Sequence, residues 1–395
     1  MVDKTELKTK QILLEPLWKM RSEFKYFAQN PPSGYEFIFD ETPNERLARR
    51  LSKKDYAYTM LHFLDNILPI ELAKPYYERF RKLPAGTDLT YAILHPVFRK
   101  KSWVMDMRLE HPELLIGGEK TFARWKWLIK STLLSGYCKK IIFELEAGKN
   151  AFRESFQWPD LENKMEVVHS SVPKKHFVKT CSHKKVKLLF VNSANINSAS
   201  HLNMHGGIAI LKAFLILRQK YNNVELVMRS GMPQEIKKEF GQQPGITIYD
   251  EIIPWAELDR EFKSSDIFVY PTNVTPSIVF LDAMSYELPI VTTDIWGNPE
   301  IVANNKTGIL VHHPTAQKFT DGFIVHFDST EFKKVIAVPP VQLIDDLVNK
   351  LSFLIENPEL RGQMGRAGRW EIEHGSFSIE KRNEKLKKIL DKATA

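Results

Sequence analysis

Residues 266–302 read DIFVYPTNVTPSIVFLDAMSYELPIVTTDIWGNPEIV. Ile267, Phe268, Val269 and Tyr270 make an apolar run of the kind found in a parallel strand buried on both faces. Ser277 to Glu287 has helical spacing, and Pro289 to Thr293 gives a second buried strand, so the stretch predicts a βαβ unit. Thr275 falls where an N-cap belongs, and Pro276 at the first helical position, where its missing N–H costs nothing. The amides of Ser277 and Ile278 are then left at the positive end of a helix dipole and at the carboxyl end of a strand, a setting suited to a phosphate or diphosphate. Asp282 follows Thr275 by seven residues, about two turns at roughly 3.6 residues per turn. It therefore shares the side of the cap and is placed to accept hydrogen bonds from a ribose. An ordinary βαβ unit with a capped helix is the plain alternative.

The run PSIVFLDAMSYELPIVTTDIWGNPEIV (276–302), followed by NKTGILV (305–311), resembles the donor-binding signature of the retaining GT-B glycosyltransferases of family 4. That signature has a Glu, seven residues, a second Glu opening Glu-Ala-Met-Ala-x-Gly-x-Pro-Val-Val, and later Pro-Glu-Ile-Val and Thr-Gly. The resemblance implies that Asp282 stands for the ribose-holding second Glu, that the amides before it hold the diphosphate, and that Glu300 lies on the donor side. Val274 occupies the place of the first Glu, which in the family lies by the donor sugar, and Glu287 replaces the Gly that usually ends the helix. The family also has an Arg and then Lys-Gly in the loop after the first strand of this half, whose cations neutralise the leaving diphosphate. Here the loop reads NSANINSASHLNMHGGIAILKAF (192–214). Gly206 and Gly207 fit the helix start, His205 stands for the Lys, and no Arg occurs. His205 is expected to assist the leaving phosphate by a proton or hydrogen bond, and Arg229, beside Gly231, to replace one cation.

In the first half, KSWVMDMRLEHPELLIGG (101–118) resembles a Trp-Val-Val-Asp-Phe-Glu-His stretch of some members. It offers Asp106, Arg108, Glu110 and His111, of which Glu110 and His111 are the expected catalytic or acceptor-side groups. Loop polarity is the plain alternative, and Asp106 also reads as a simple strand end. Glu146-Ala147-Gly148-Lys149 resembles the Ser-Glu-Ala-Gly-Lys run that opens a helix near the family's cleft.

With 395 residues, 43% apolar and 26% charged, the chain has the size and composition of two globular domains. No apolar run reaches the roughly 18 residues of a membrane span; Gly207 to Leu217 is broken by Lys212. The amino terminus MVDKTELKTKQ is too polar for a secretory signal. Cys138 and Cys181 show neither metal nor disulfide spacing. A cytoplasmic location is expected. The net charge is +8, with basic clusters at Arg99 to Lys101, Lys174 and Lys175, and Lys184 to Lys187. Solvated surface is the first reading of these clusters, peripheral contact with an anionic inner membrane face or a lipid-linked acceptor the second, and nucleic acid the last, since no nucleic-acid motif accompanies them.

Strands are expected at 11–15, 35–39, 89–95, 102–107, 139–145 and 165–169, with helices at 18–28, 121–136 and 147–156 and helical spacing over 44–81. A second series follows: strands 186–191, 224–228 and 246–252, with helices 208–221, 234–240 and 257–263. The helices 358–375 and 378–392 close the chain. Such alternation implies parallel sheets covered on both faces. The resemblance gives the plan: α/β, GT-B, two Rossmann-like domains facing across a cleft, with the last helix crossing back to the first. The boundaries expected are 1–172 for an acceptor-side domain, 173–185 for a linker, 186–377 for a nucleotide-sugar donor domain and 378–395 for the crossing helix. Residues 314–340, with a strand-like piece at 322–327, read as a local elaboration without a role.

No Asp-x-Asp, Gly-x-Gly-x-x-Gly after a strand, P-loop or Gly-x-Ser-x-Gly is present. The function expected is transfer of a sugar from a nucleotide sugar, such as a UDP- or GDP-sugar, to an acceptor hydroxyl on a glycan, lipid-linked carrier or small molecule, with retention and with neither metal nor cofactor. Two alternatives stand beside it: a degenerate GT-B protein that binds a nucleotide sugar or glycan without turnover, and a nucleotide-sugar epimerase.

Overall fold

A computed structural model describes residues 9–15, 22–39, 80, 82–94, 96–108, 119–179, 185–315 and 330–395. These fall into two units, Met1–His169 with Glu380–Ala395, and Ser170–Ile379. Helical spacing at 44–81 and the strand-like piece at 322–327 lie outside the described residues but for Phe80.

The first unit is built on strands β1 (Lys10–Glu15), β2 (Tyr35–Phe39), β3 (Thr87–Ile93), β4 (Trp103–Arg108), β5 (Cys138–Phe143) and β6 (Met165–Val167), in the order β2-β1-β3-β4-β5-β6. Every pairing is parallel. The period-2 alternation of a strand sends neighbours to opposite faces, and the two cores obey it. Trp103, Met105, Met107 and Ile141 pack on one face with Ile129 and Leu133 of α2 (Glu119–Leu134) and Phe152 of α3 (Glu146–Phe156). Val104 and Ile142 turn to the other face, where Ile12, Leu14 and Ile93 meet Phe24 and Phe27 of α1 (Ser22–Gln29). That face is completed by the C-terminal helix, Ile379–Ala393. Its apolar residues Leu386, Ile389, Leu390 and Ala393 recur at helical spacing and join this core. Lys10 Nζ donates to Thr394 Oγ1 at 2.8 Å and Tyr35 Oη to Asp391 at 2.6 Å, pinning the helix to β1 and β2.

The second unit holds β7 (Val186–Val191), β8 (Val224–Arg229), β9 (Ile246–Tyr249), β10 (Ile267–Tyr270), β11 (Ile290–Thr293) and β12 (Gly308–Val311), in the order β12-β11-β10-β7-β8-β9, again parallel throughout. Its helices are α4 (Ala199–Met204), α5 (Gly207–Lys220), α6 (Gln234–Phe240), α7 (Trp255–Ser264), α8 (Ser277–Ser285), α9 (Asn298–Ile301), α10 (Thr330–Val335), α11 (Val341–Glu356) and α12 (Pro358–Glu373). The chain starts in the middle of the sheet at β7, runs outward through β8 and β9, then returns to the other side of β7 with β10. The sheet therefore has a topological switch point between β7 and β10. Two parallel, helix-covered sheets of this kind are the Rossmann-like halves of the expected GT-B plan.

Differences from the sequence reading have local causes. Helix α8 begins at Ser277 with Pro276 as its N-cap, and no side chain caps it. Thr275 is not the cap; its Oγ1 accepts the Gly297 amide at 3.1 Å instead. The helix also stops earlier than Glu287, because Glu287 takes φ +57°. The Leu288 amide donates to Ala283 O and the Glu287 amide to Met284 O, the pair of bonds that defines a Schellman ending. A glycine is the usual occupant of that left-handed position; here Glu287 is held in it by Arg369 at 2.8 Å. Residues 173–179 of the expected linker are fastened to the second unit. Arg369 donates to the carbonyls of Lys175 and Phe177, and the Lys175 ammonium lies over the rings of Trp255 and Tyr286. Among the expected basic clusters, Arg99 is buried in an ion pair with Glu15, so it adds nothing to a surface patch.

Helix α12 crosses α8 at this same ending. A Cβ on Gly365 would stand 2.2 Å from the Glu287 carbonyl oxygen, closer than any side chain can sit. Gly365→Ala is expected to cost about 2–3 kcal/mol by overpacking, read as a lower urea midpoint with an unchanged slope.

Candidate functional site

The carboxyl ends of β7 and β10 are where an open parallel sheet presents its ligand crevice, and the structure gathers the loops of the second unit there. Asn273, after β10, donates its amide to Met204 O at 2.8 Å and its Nδ2 to Asn203 O at 2.8 Å. Thr272 Oγ1 donates to Met204 O at 3.2 Å. The two turns are pressed together at Gly206, where φ is +78° and a Cβ would meet Pro271 O at 2.1 Å. Gly207, the first residue of α5, is equally crowded by Leu202. On the β8 side, Gly231 donates its amide to Ser193 O at 2.9 Å, and a Cβ there would meet Ile196 O at 2.4 Å. Short glycine approaches thus draw the loops after β7, β8 and β10 into one rim.

Helix α8 opens onto this rim. No acceptor among the described residues takes the amides of Ser277 and Ile278, so two of the orphan donors of a helix start are left without a protein partner there. Along 274–285, Val274, Ser277, Phe280, Leu281 and Ala283 to Ser285 are buried, whereas Thr275, Pro276, Ile278, Val279 and Asp282 keep exposure. Of these, Ile278, Val279 and Asp282 lie at offsets of three, four and seven from Thr275, a single stripe of surface. Asp282 therefore shares its face with Thr275 and Ile278.

The electrostatics are quieter than the sequence implies. His205 caps the end of α4, its ring 4.8 Å from His201 and 5.4 Å from Tyr270 between centroids. Its Nδ1 is sealed from solvent without a hydrogen-bond partner. Burial, with a smaller push from His201, lowers its pKa from 6.5 to about 3. The imidazole is neutral at physiological pH and contributes a polar group, not a charge. His201 is shifted down by burial as well. Arg229, at the end of β8, donates NH1 to Asn192 O in the loop after β7 and so helps hold that loop, while its Nε is buried without a partner. Asn192 ties the floor together: Nδ2 meets His201 Nδ1 at 3.3 Å and Oδ1 accepts from Tyr270 Oη at 3.3 Å.

The depressed His205 pKa has a stability consequence. Between about pH 3 and pH 6.5 the unfolded chain binds a proton there that the folded chain refuses. Folding stability therefore rises with pH across this window, is fully present above 6.5, and is lost as pH falls toward the folded value. His205→Phe, which keeps an aromatic ring against Tyr270, is expected to flatten the dependence of the unfolding midpoint on pH from 6.5 downward. His313, lowered by burial to about 4, leaves a residual slope in the variant.

Glu300 is exposed on α9 after β11, at the same carboxyl edge. Glu110 and His111 lie outside the described residues. Asp106 is buried at the end of β4, accepting from Tyr91 Oη at 2.8 Å and from the Arg108 amide at 3.0 Å; burial raises its pKa. It serves as a strand-end pin, and Arg108 pairs with Glu144 at 3.5 Å. Sequence reasoning missed Asn192, Asn203 and Asn273, whose amides stitch the rim. The only sequence signal for Asn192 and Asn273 was their position just past apolar strands, which they share with many loop residues; Asn203 lies inside α4 and had none.

Residues 194–326 match the family model of glycosyl transferases group 1. The alpha-maltose-1-phosphate synthase of Mycolicibacterium smegmatis is 30% identical over 102 residues, 23% of this chain and 26% of that protein. An uncharacterized glycosyltransferase of Haemophilus influenzae is 25% identical over 258 residues, 64% of this chain and 61% of that protein. The chain thus spans less than two thirds of either relative's length. The crystal structure of Anabaena HepE in complex with UDP and glucose superposes with a TM-score of 0.60 at 11% identity, covering 97% of this chain and 99% of that one, a likeness of fold. Among the described residues no helix is long and apolar enough to cross a membrane.

Proposed function

We propose that this chain, similar to the group 1 glycosyl transferases over residues 194–326 and built on the GT-B plan, moves a glycosyl group from a nucleotide sugar to an acceptor hydroxyl. The observation that carries the reading is the mouth of α8: two amides without a protein partner, and Asp282 on one open stripe with Thr275 and Ile278, at the switch point of a Rossmann-ordered sheet. The Ser277 and Ile278 amides hold the donor diphosphate and stabilise the charge that grows on it as the glycosidic bond breaks. Asp282 accepts the ribose hydroxyls. Gly206 and Gly207 let α5 approach the phosphates by backbone, Thr275 fixes the turn opposite, and Glu300 faces the donor from α9. Arg229 acts through the Asn192 loop, and neutral His205 through hydrogen bonding. The acceptor is a hydroxyl of a glycan, a lipid-linked carrier or a small molecule. Retention of configuration and independence from metal follow the family's pattern, and peripheral contact with an anionic membrane face is the use we assign to the remaining basic surface.

A second reading, binding without turnover, is favoured by one observation: His205, which stands where the family has a Lys, is neutral. Incubation with UDP-, GDP- and ADP-sugars, with released nucleotide followed, separates the two. Release specific to one donor supports transfer; tight binding in calorimetry without release under any acceptor mixture supports the second reading; neither binding nor release removes the donor site.

A further inference from the structure

Trp296 is held at φ +50°, a backbone region that costs a bulky residue and that persists where surrounding structure enforces it, often at functional sites. The two other non-glycine residues of the second unit with positive φ have local reasons. Glu287 closes a Schellman ending with an Arg369 ion pair, and Asn305 belongs to a residue type that tolerates the left-handed region. Trp296 has neither. Its neighbour Ile295 is fully buried, yet Trp296 keeps part of its surface open, so filling a core does not account for it. The residue follows β11 at the carboxyl edge, and the next amide, Gly297, is bound by Thr275 Oγ1 at 3.1 Å. That bond sets the Trp296 backbone, one Cα step of about 3.8 Å away, beside the mouth of α8 and its free Ser277 and Ile278 amides.

Trp296 is packed on an apolar cluster. Val274, Ile295, Phe332 and Ile336 form one buried cluster, with Met204, Val335 and Trp296 packed on it. Asn203 Nδ2 donates to Ala337 O at 2.8 Å and fastens the segment after α10 to the rim. Phe332, Val335 and Ile336 of the elaboration therefore give Trp296 an apolar backing, while Lys333 and Lys334 of the same helix are exposed. Burying a carboxylate or ammonium against that backing would carry a heavy desolvation cost, whereas the C–H face of a pyranose ring matches an indole in shape and polarity.

We infer that Trp296 is a specificity-determining residue that takes the C–H face of the donor's sugar, and that the apolar backing behind it selects a neutral pyranose over one bearing a carboxylate. This rests on the proposed donor site and goes beyond it by naming the residue and the class of sugar. The sugar is joined to the phosphate held by the α8 amides, which brings its ring to the Trp296 side of the mouth.

Calorimetry on the full chain with UDP and GDP, and with their neutral hexose, deoxyhexose and hexuronate conjugates, tests this. Trp296→Gly accepts the positive φ, and Trp296→Phe keeps an aromatic face. Trp296→Gly is expected to weaken the preferred nucleotide sugar about tenfold while leaving the free nucleoside diphosphate within about twofold, and Trp296→Phe to retain most of the difference. Unchanged nucleoside diphosphate binding reports that the variant is folded. Equal weakening of both ligands, weakening of neither, or a hexuronate conjugate as the tightest donor overturns the inference alone. Absence of nucleoside diphosphate binding by the unaltered chain overturns the donor-site reading and this inference with it.

Discussion

Gly206→Ala is expected to lower the unfolding free energy by about 3 kcal/mol and to abolish donor binding, the largest structural effect of any single methyl at the site. Two costs combine. The backbone at 206 has φ +78°, which costs an L-residue with a Cβ roughly 1–2 kcal/mol. The new methyl would also stand 2.1 Å from Pro271 O and 2.6 Å from its carbonyl carbon. Both atoms are backbone, so no side chain can swing aside. Either α5 backs away from the turn after β10 or that turn shifts, and the Asn273 bonds to Met204 and Asn203 are the first to stretch. Donor binding suffers more than stability, because the same turn leads directly into Thr275 and the α8 amides. Urea unfolding and nucleotide-sugar titration of the same preparation check the pair of effects. A variant of native stability that still binds donor would mean that the rim is looser than this geometry.

The fold was legible because its signals are redundant. Strands such as Val186–Val191 and Tyr35–Phe39 have the bounds read from the sequence, since an apolar run bounded by polar residues has one sensible reading. Strand order was not legible: nothing in the segment 186–270 states that β10 returns beside β7, and the switch point that locates the site emerges only from pairing. Helix α11, Val341–Glu356, was passed over, and α4, Ala199–Met204, was hidden by a run of serines and asparagines that resembles a loop. The turn into α8 at Ser277 was readable because a βα turn with proline has a strong local code. The cap was misassigned by one residue because Thr275 is held by a long-range bond to Gly297, which no local rule contains. Val274 was readable as the loss of a carboxylate, but its partners Phe332 and Ile336 lie some sixty positions away in sequence, so the apolar backing was invisible. His205 illustrates the same limit: its identity is in the sequence, its neutrality comes from packing.

Asp282→Ala is expected to weaken nucleotide-sugar binding by about 10- to 100-fold, the 1.5–3 kcal/mol of hydrogen bonds to a charged acceptor, with little change in stability. The side chain is partly exposed, and the residues that anchor α8, Phe280, Leu281, Ala283 and Met284, are buried on its other faces. Alanine is also a strong helix former, so the helix and its free amides remain. The loss should therefore appear for the free nucleoside diphosphate as well as for the sugar conjugate, because the role proposed for Asp282 is at the ribose that both share. In this it differs from Trp296→Gly, whose effect is confined to the conjugate. Inorganic diphosphate offers a third probe: it engages the Ser277 and Ile278 amides without a ribose, and the variant should bind it as well as the unaltered chain, or slightly better once a carboxylate is gone. Unchanged nucleoside diphosphate affinity in the variant would remove the ribose role of Asp282. Parallel loss of inorganic diphosphate would mean that the substitution disturbs the α8 mouth itself, and that the two halves of the donor site are not the separable pieces this geometry makes them.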